Sequence, residues 1–108
     1  MVRKTVILTR EAELIIKKMG KRMKEARLRR NIMAEVLAER VGISKGTLIA
    51  IEKGEPTVSL GAYVAVLTVL DMARDFEYVA IDEEGKQYYR DAYLYHRKRA
   101  TKRKDSGK

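Results

Sequence analysis

The segment from Ala34 to Gly54 limits this 108-residue chain to few folds, because two short apolar patterns flank a glycine within it. It reads AEVLAERVGISKGTLIAIEKG, and its apolar residues recur at steps of three and four on both sides of Gly42. Such steps place residues on one face of a helix. Two short helices that cross steeply need a small residue at the crossing, a glycine at the turn and apolar residues on the second helix. Ala38 and Gly42 meet the first two requirements.

Apolar residues at the right spacing meet the third requirement. Those expected to hold the two helices together are Leu37, Val41, Ile43, Leu48 and Ile51. The segment therefore predicts a helix-turn-helix, in which the second helix is the one that enters the major groove of DNA. A helical hairpin that binds nothing is the structural alternative.

A long first helix is predicted over roughly residues 10–30. Thr9 is a plausible N-cap, and Glu11 and Glu13 lie near the positive end of the helix dipole. One face is apolar and comprises Ala12, Ile15, Ile16, Met19, Met23 and Ala26. Gly20 lies inside this pattern and weakens the prediction of one unbroken helix. Asn31 is the turn-forming residue that follows.

Three further helices are predicted after Gly54. Ser59 can cap a fourth helix, with a stripe formed by Leu60, Val64, Leu67 and Leu70. A short fifth helix over 71–81 would bury Met72, Phe76 and Val79. A sixth, over 86–99, would carry four tyrosines, and residues 100–108 are expected to be disordered. The prediction is an all-α domain of five or six helices, with an arm or strand at 1–8, the helix-turn-helix domain at 9–81, and a C-terminal helix and basic tail at 82–108.

The net charge of +9 is distributed unevenly. Residues 1–32 contain eleven basic and three acidic residues, 33–95 contain six and eleven, and 96–108 contain seven and one. Two basic ends suit a polyanionic partner, of which nucleic acid is the leading candidate. Ordinary solubility is the alternative explanation of the charge.

The stretch IMAEVLAERVGISKGTLIAIEKG resembles the helix-turn-helix of the Cro/cI-type (lambda repressor-like) proteins, also called the xenobiotic-response-element (XRE) family. The resemblance implies that Arg27 and Glu52 form a structural ion pair between the first helix and the recognition helix. The chain departs from the family at Met33 and Ala34, where the family has a Ser that caps the second helix and a Gln that contacts phosphate. Met33 and Ala34 can do neither, and a lost cap costs about 1 kcal/mol.

The recognition helix carries few polar side chains. The candidate DNA-contacting residues are Arg40, Ser44, Lys45, Gly46, Thr47, Ile49, Ala50 and Lys53. Lys45 can donate to guanine, Thr47 can contact a phosphate or a thymine methyl group, and Ile49 and Ala50 suit thymine methyl groups. The other four can contact phosphate or allow a close approach of the backbone. We expect modest sequence specificity, strong salt dependence, and reliance on dimerisation or DNA shape.

Two other functions compete with double-stranded DNA recognition. In the first, Ile49 and Ala50 form an apolar patch of a protein-interaction adaptor that has lost DNA binding. In the second, the tyrosines of residues 88–95 and the basic tail bind single-stranded or other nucleic acid non-specifically. His96 and the acids at 82–84 are expected to be surface residues, so we predict no metal site, no cofactor and no enzymatic activity.

The sequence from residue 55 onward, with its basic end, resembles the small XRE regulators encoded beside HipA-like kinase toxins. This resemblance implies autorepression of a toxin–antitoxin operon and a HipA-like kinase as partner, and we expect a homodimer. The chain has no cysteine, no apolar N-terminal core typical of a secretory signal, and no uncharged run longer than residues 56–70. We therefore expect a cytoplasmic protein that does not span a membrane.

Overall fold

The computed structural model describes residues 6–82, which form five helices and, within that range, no strand. The helices are α1 (Arg10–Arg29), α2 (Ala34–Val41), α3 (Lys45–Glu52), α4 (Leu60–Val69) and α5 (Ala73–Phe76). The chain divides into two units, Met1–Glu77 and Tyr78–Lys108, and all five helices belong to the first. The predicted sixth helix and basic tail lie outside the described residues, as do the first five residues of the N-terminal arm.

Local side-chain and backbone chemistry sets the helix ends. Thr9, Ser44 and Ser59 each cap a helix by accepting a hydrogen bond from the backbone N–H three residues later, at 3.0–3.1 Å. Gly42 and Gly54 follow α2 and α3 with φ values of 89° and 75°, a conformation that favours glycine. These features confirm the predicted boundaries of α1 to α4 within one or two residues.

The core lies between α1, α2, α3 and α4. α1 packs against α3, α2 packs against both α3 and α4, and α5 packs against α4. The buried apolar residues are Met23, Ala26, Leu37, Ala38, Leu48, Ile51, Tyr63, Val66, Leu67 and Leu70. Ala38 is buried as the helix-turn-helix pattern requires. The Tyr63 hydroxyl donates to the carbonyl of Glu55 at 2.7 Å, which ties α4 to the loop that follows α3.

The predicted buried faces of α1 and α4 were partly wrong. Ile15 is 60% exposed and Leu60 is 63% exposed, although the sequence pattern places both on apolar faces. In α4 the buried positions include Tyr63 and Val66 instead of Leu60. α4 reads LGAYVAVLTV and is apolar almost all round, so its sequence periodicity cannot define which face packs inward.

The fifth helix is much shorter than predicted. It spans only Ala73–Phe76, and a turn covers residues 77–80, where Ala80 has a φ of 72°. Met72 and Phe76 pack partly buried against the core. Val79, predicted to be buried on the same helix, lies beyond its end and is exposed.

Met33 occupies an N-cap position that its side chain cannot use. Its φ and ψ of −71° and 149° match those of Ser44, but no side-chain hydrogen bond caps α2. Met33 is also 64% exposed, so replacing it removes few packing contacts. We expect Met33→Ser to raise the free energy of unfolding by about 1 kcal/mol relative to Met33→Ala, measured by urea denaturation. Equal stability of the two variants would contradict this assignment.

Candidate nucleic-acid interface

α3 is buried along one side and exposed along the other. Leu48, Ile51 and Glu52 form its buried side. The opposite side, called the front of α3 below, comprises Lys45, Gly46, Ile49, Ala50 and Lys53; Ile49 and Ala50 are half-buried and the other three are exposed. These five of the eight candidate DNA-contacting residues thus share one accessible surface.

A buried ion pair fixes α3 to α1. The Arg27 Nε atom donates to Glu52 Oε2 at 2.7 Å, and Arg27 Nη2 donates to Glu52 Oε1 at 3.2 Å. Arg27 Nη1 also donates to the carbonyl of Ile32 at 2.9 Å, just before α2 begins. Both partners are only 7% exposed. The Arg27 guanidinium therefore joins three parts of the chain: α1, the residues just before α2, and α3. Its contact with Glu52 has the bidentate geometry that arginine favours.

The backbones of α1 and α3 come into direct contact beside this ion pair. A Cβ atom on Gly20 would overlap the carbonyl oxygen of Ile51 and lie 2.8 Å from the amide nitrogen of Gly54. A Cβ atom on Gly54 would lie 2.5 Å from the Cα atom of Lys17. Gly20 is therefore a contact point between the helices. In the sequence, Gly20 is visible only as an interruption of α1, although a glycine inside an amphipathic pattern often has a packing role.

The first turn of α3 is held by a local hydrogen-bond pair. The Ser44 hydroxyl accepts from the Thr47 amide and donates to the Thr47 hydroxyl oxygen, each at 3.0 Å. Thr47 is half-buried and retains its own hydroxyl proton for donation to a ligand. In front of this turn Gly46 leaves an open surface, because a Cβ atom there would meet only Ser44 Oγ at 3.9 Å.

Lys45, the predicted guanine donor, already has an acidic partner. Its Nζ atom donates to Glu35 Oε2, in the first turn of α2, at 3.0 Å. The two side chains are 54% and 57% exposed. The hydrogen bond from the Lys45 ammonium lowers the pKa of the Glu35 carboxyl below its ordinary value. The sequence does not indicate Glu35 as a partner of Lys45, since ten residues and a turn separate the two.

Basic side chains surround the C-terminal half of α3. Lys53 and Lys24 flank a hollow of about 130 Å³ that is also lined by Ile49 and the buried ion pair. Lys17 lines a second hollow together with Lys53 and Gly54. Arg40 is exposed in the last turn of α2. Lys17 and Lys24 therefore lie beside Lys53 at the C-terminal end of α3.

The described part of the chain contains no group of three or more His, Asp or Glu side chains arranged to hold a metal ion. Asp82 is described, whereas the two acids after it and His96 lie outside that range. None of the five helices is both long and apolar enough to cross a membrane.

One family model, described as a helix-turn-helix domain, matches residues 18–76. The match begins within α1, includes α2 and α3, and ends at the last residue of α5. It supports the resemblance to regulators of the Cro/XRE kind. No curated protein matches the sequence significantly.

Proposed function

We propose that this chain, which belongs to the helix-turn-helix domain family, is a sequence-specific DNA-binding transcriptional regulator that represses its own operon. The observation that carries the proposal is the two-sided character of α3. Its back is fixed by a buried ion pair and two core residues, while its front carries no large side chain except two lysines and one isoleucine. A helix fixed in this way can enter a major groove as a rigid element.

Base recognition on this surface would combine one polar contact with a small apolar surface. The Lys45 ammonium can donate to guanine O6 or N7. Ile49 and Ala50 can contact thymine methyl groups, and Gly46 allows the helix backbone to come close to the bases. Specificity within one half-site would then be modest. A homodimer would contact two half-sites and so double the free energy by which the protein discriminates between sequences.

Phosphate contacts would supply most of the affinity. Lys53 and Lys24 lie together at one end of the front of α3, and Arg40 is exposed at the end of α2. The free backbone N–H groups at the start of α3 suit a phosphate as well. The logarithm of the binding constant falls linearly with the logarithm of the salt concentration, and each phosphate contact steepens that slope by about 0.9.

The proposal is tested by fluorescence anisotropy with the DNA upstream of the gene, a scrambled duplex and an RNA of equal length, at two salt concentrations. We expect a preference for the upstream duplex that persists at the higher salt. Equal binding to all three that collapses with salt would refute sequence-specific recognition and indicate contacts to the phosphate backbone alone.

Lys45→Ala is expected to weaken binding to the upstream duplex by about fivefold or more, the lower limit for one good base contact. The matched control is Arg74→Ala, which removes the same charge from an exposed position on α5. We expect the control to change the affinity less than twofold. Similar losses in both variants would mean that Lys45 contributes only charge. Thr47→Ala is a less clean probe, because it also removes the Ser44 hydrogen bond.

A second candidate function follows from the apolar centre of the front of α3. Ile49 and Ala50 are partly accessible there, which also suits a contact with a protein. As an adaptor, the protein would neutralise a partner without binding DNA, and Ile49→Glu would abolish partner binding while Lys45→Ala would not. The family resemblance makes a HipA-like kinase toxin the partner to test, and an antitoxin role would join this contact to autorepression.

A further inference from the structure

The ion pair between Glu35 and Lys45 places a hydrogen-bond acceptor beside a donor at the start of the recognition helix. Lys45 is the first residue of α3 and Glu35 lies in the first turn of α2. Their charged atoms are 3.0 Å apart, and both side chains are more than half exposed. An exposed ion pair of this kind contributes little to folding. Because both charged side chains are exposed, the pair is also accessible to a ligand.

The ammonium group of Lys45 can bond to a base without leaving Glu35. It has three N–H donors, and Glu35 uses one of them. The carboxylate likewise has acceptor positions to spare. Because the two groups are in direct contact, a base pair that brings an acceptor to the Lys45 ammonium can at the same time bring a donor to the Glu35 carboxylate.

The major-groove edge of a G·C pair matches this arrangement. Guanine presents N7 and O6 as acceptors, and cytosine presents its N4 amino group as a donor beside them. The O6 and N4 atoms are hydrogen-bonded to each other, so they lie about 2.9 Å apart. The ammonium and carboxylate of the ion pair have nearly the same separation.

We infer that Glu35 is a specificity-determining residue, and that the Glu35–Lys45 pair recognises one G·C base pair, with Lys45 donating to guanine and Glu35 accepting from cytosine N4. The inference rests on the proposed function and deepens it. It assigns the contact to a pair of residues, of which one is acidic and lies outside the recognition helix.

The same chemistry ranks the other base pairs. A T·A pair also offers an acceptor beside a donor, but it places a methyl group near Lys45 and the acceptor N7 of adenine near Glu35. The reversed pairs, C·G and A·T, place a donor against the ammonium and an acceptor against the carboxylate. The order of preference is G·C, then T·A, with the reversed pairs last.

The test is selection of bound sequences from a random duplex pool, followed by anisotropy with single-pair variants of the selected site. Wild-type protein is expected to select one G·C pair per half-site and to discriminate against C·G there by about fivefold or more. Glu35→Gln should reduce that discrimination by about half or more, because an amide both donates and accepts, while Lys45 can still donate to guanine. In a Lys45→Gln background the Glu35→Gln change should have no further effect at that position.

Glu39→Gln is the matched control, since Glu39 is an exposed acid on the same helix. It should leave the G·C preference intact, although both substitutions remove one negative charge. The other positions of the selected site report folding, because they should be unchanged in Glu35→Gln.

Two negative outcomes are distinguishable. A wild-type protein that selects no sequence refutes the proposed function, and this inference fails with it. A wild-type site whose G·C pair is retained at full strength by Glu35→Gln refutes the inference alone.

Discussion

Glu52→Ala is expected to lower the free energy of unfolding by about 3–5 kcal/mol, because it leaves the Arg27 guanidinium buried without its counter-charge. Arg27 would lose two hydrogen bonds, at 2.7 and 3.2 Å, and keep only the bond to the Ile32 carbonyl. Domains of this size have stabilities of about 5–15 kcal/mol, so the loss would consume a large part of the total. Urea denaturation followed by circular dichroism measures it.

The control for Glu52→Ala is the double variant Arg27→Met with Glu52→Leu. Replacing both buried charges by apolar groups of similar size is often neutral or stabilising, because no charge is left without a partner. We therefore expect the double variant to be far more stable than Glu52→Ala. If Glu52→Ala were as mild as Glu39→Ala on the surface of α2, the ion pair would not hold α3 in place.

The helix-turn-helix was predictable because short-range chemistry determines it. Ser44 caps α3, Gly42 adopts the positive φ that the turn needs, and Ala38 fits the crossing of the two helices. Ser44 and Gly42 act on neighbours within a few residues, and Ala38 packs at a helix that begins only seven residues later, so these effects are visible in sequence. The boundaries of α1 to α4 follow from features of the same kind, whereas α5 ends early in a turn that contains Ala80 at positive φ.

Long-range contacts were harder to predict. The apolar surface of α4 gave no indication that Tyr63 and Val66 face inward while Leu60 does not. The partnership of Arg27 with Glu52 spans 25 residues and came only from the family resemblance. No local pattern joins Glu35 to Lys45, because their contact exists only once α2 and α3 have packed.

The candidate interface was predicted at the level of the helix face and missed at the level of charge partners. Lys45, Ile49 and Lys53 lie at the surface of α3 as the sequence indicated. The acid beside Lys45 was not foreseen, and it changes the chemistry that this end of the helix presents. A lysine alone offers donors, whereas the ion pair offers a donor and an acceptor in fixed order.

Gly20→Ala is expected to lower the free energy of unfolding by about 2–3 kcal/mol, the upper part of the range of about 1–3 kcal/mol that is usual for overpacking. The added Cβ atom would meet the carbonyl oxygens of Ile51 and Glu52 and the amide of Gly54, all of which are backbone atoms. Backbone atoms cannot rotate away as a side chain can, so α1 would have to move off α3. That movement would also strain the Arg27–Glu52 pair, so the two sites should couple when they are changed together.

Gly61→Ala makes the comparison decisive, because Gly61 is also a helical glycine but has open space around it. A Cβ atom there would meet only Ser59 Oγ at 3.9 Å. In a helix, alanine is favoured over glycine by about 0.5–1 kcal/mol, so Gly61→Ala should stabilise the protein while Gly20→Ala destabilises it. Urea denaturation of the two variants measures both signs. The same sign in both would mean that α1 and α3 are not in backbone contact. Opposite signs would show that the position of the recognition helix depends on a glycine 25 residues before it in the chain.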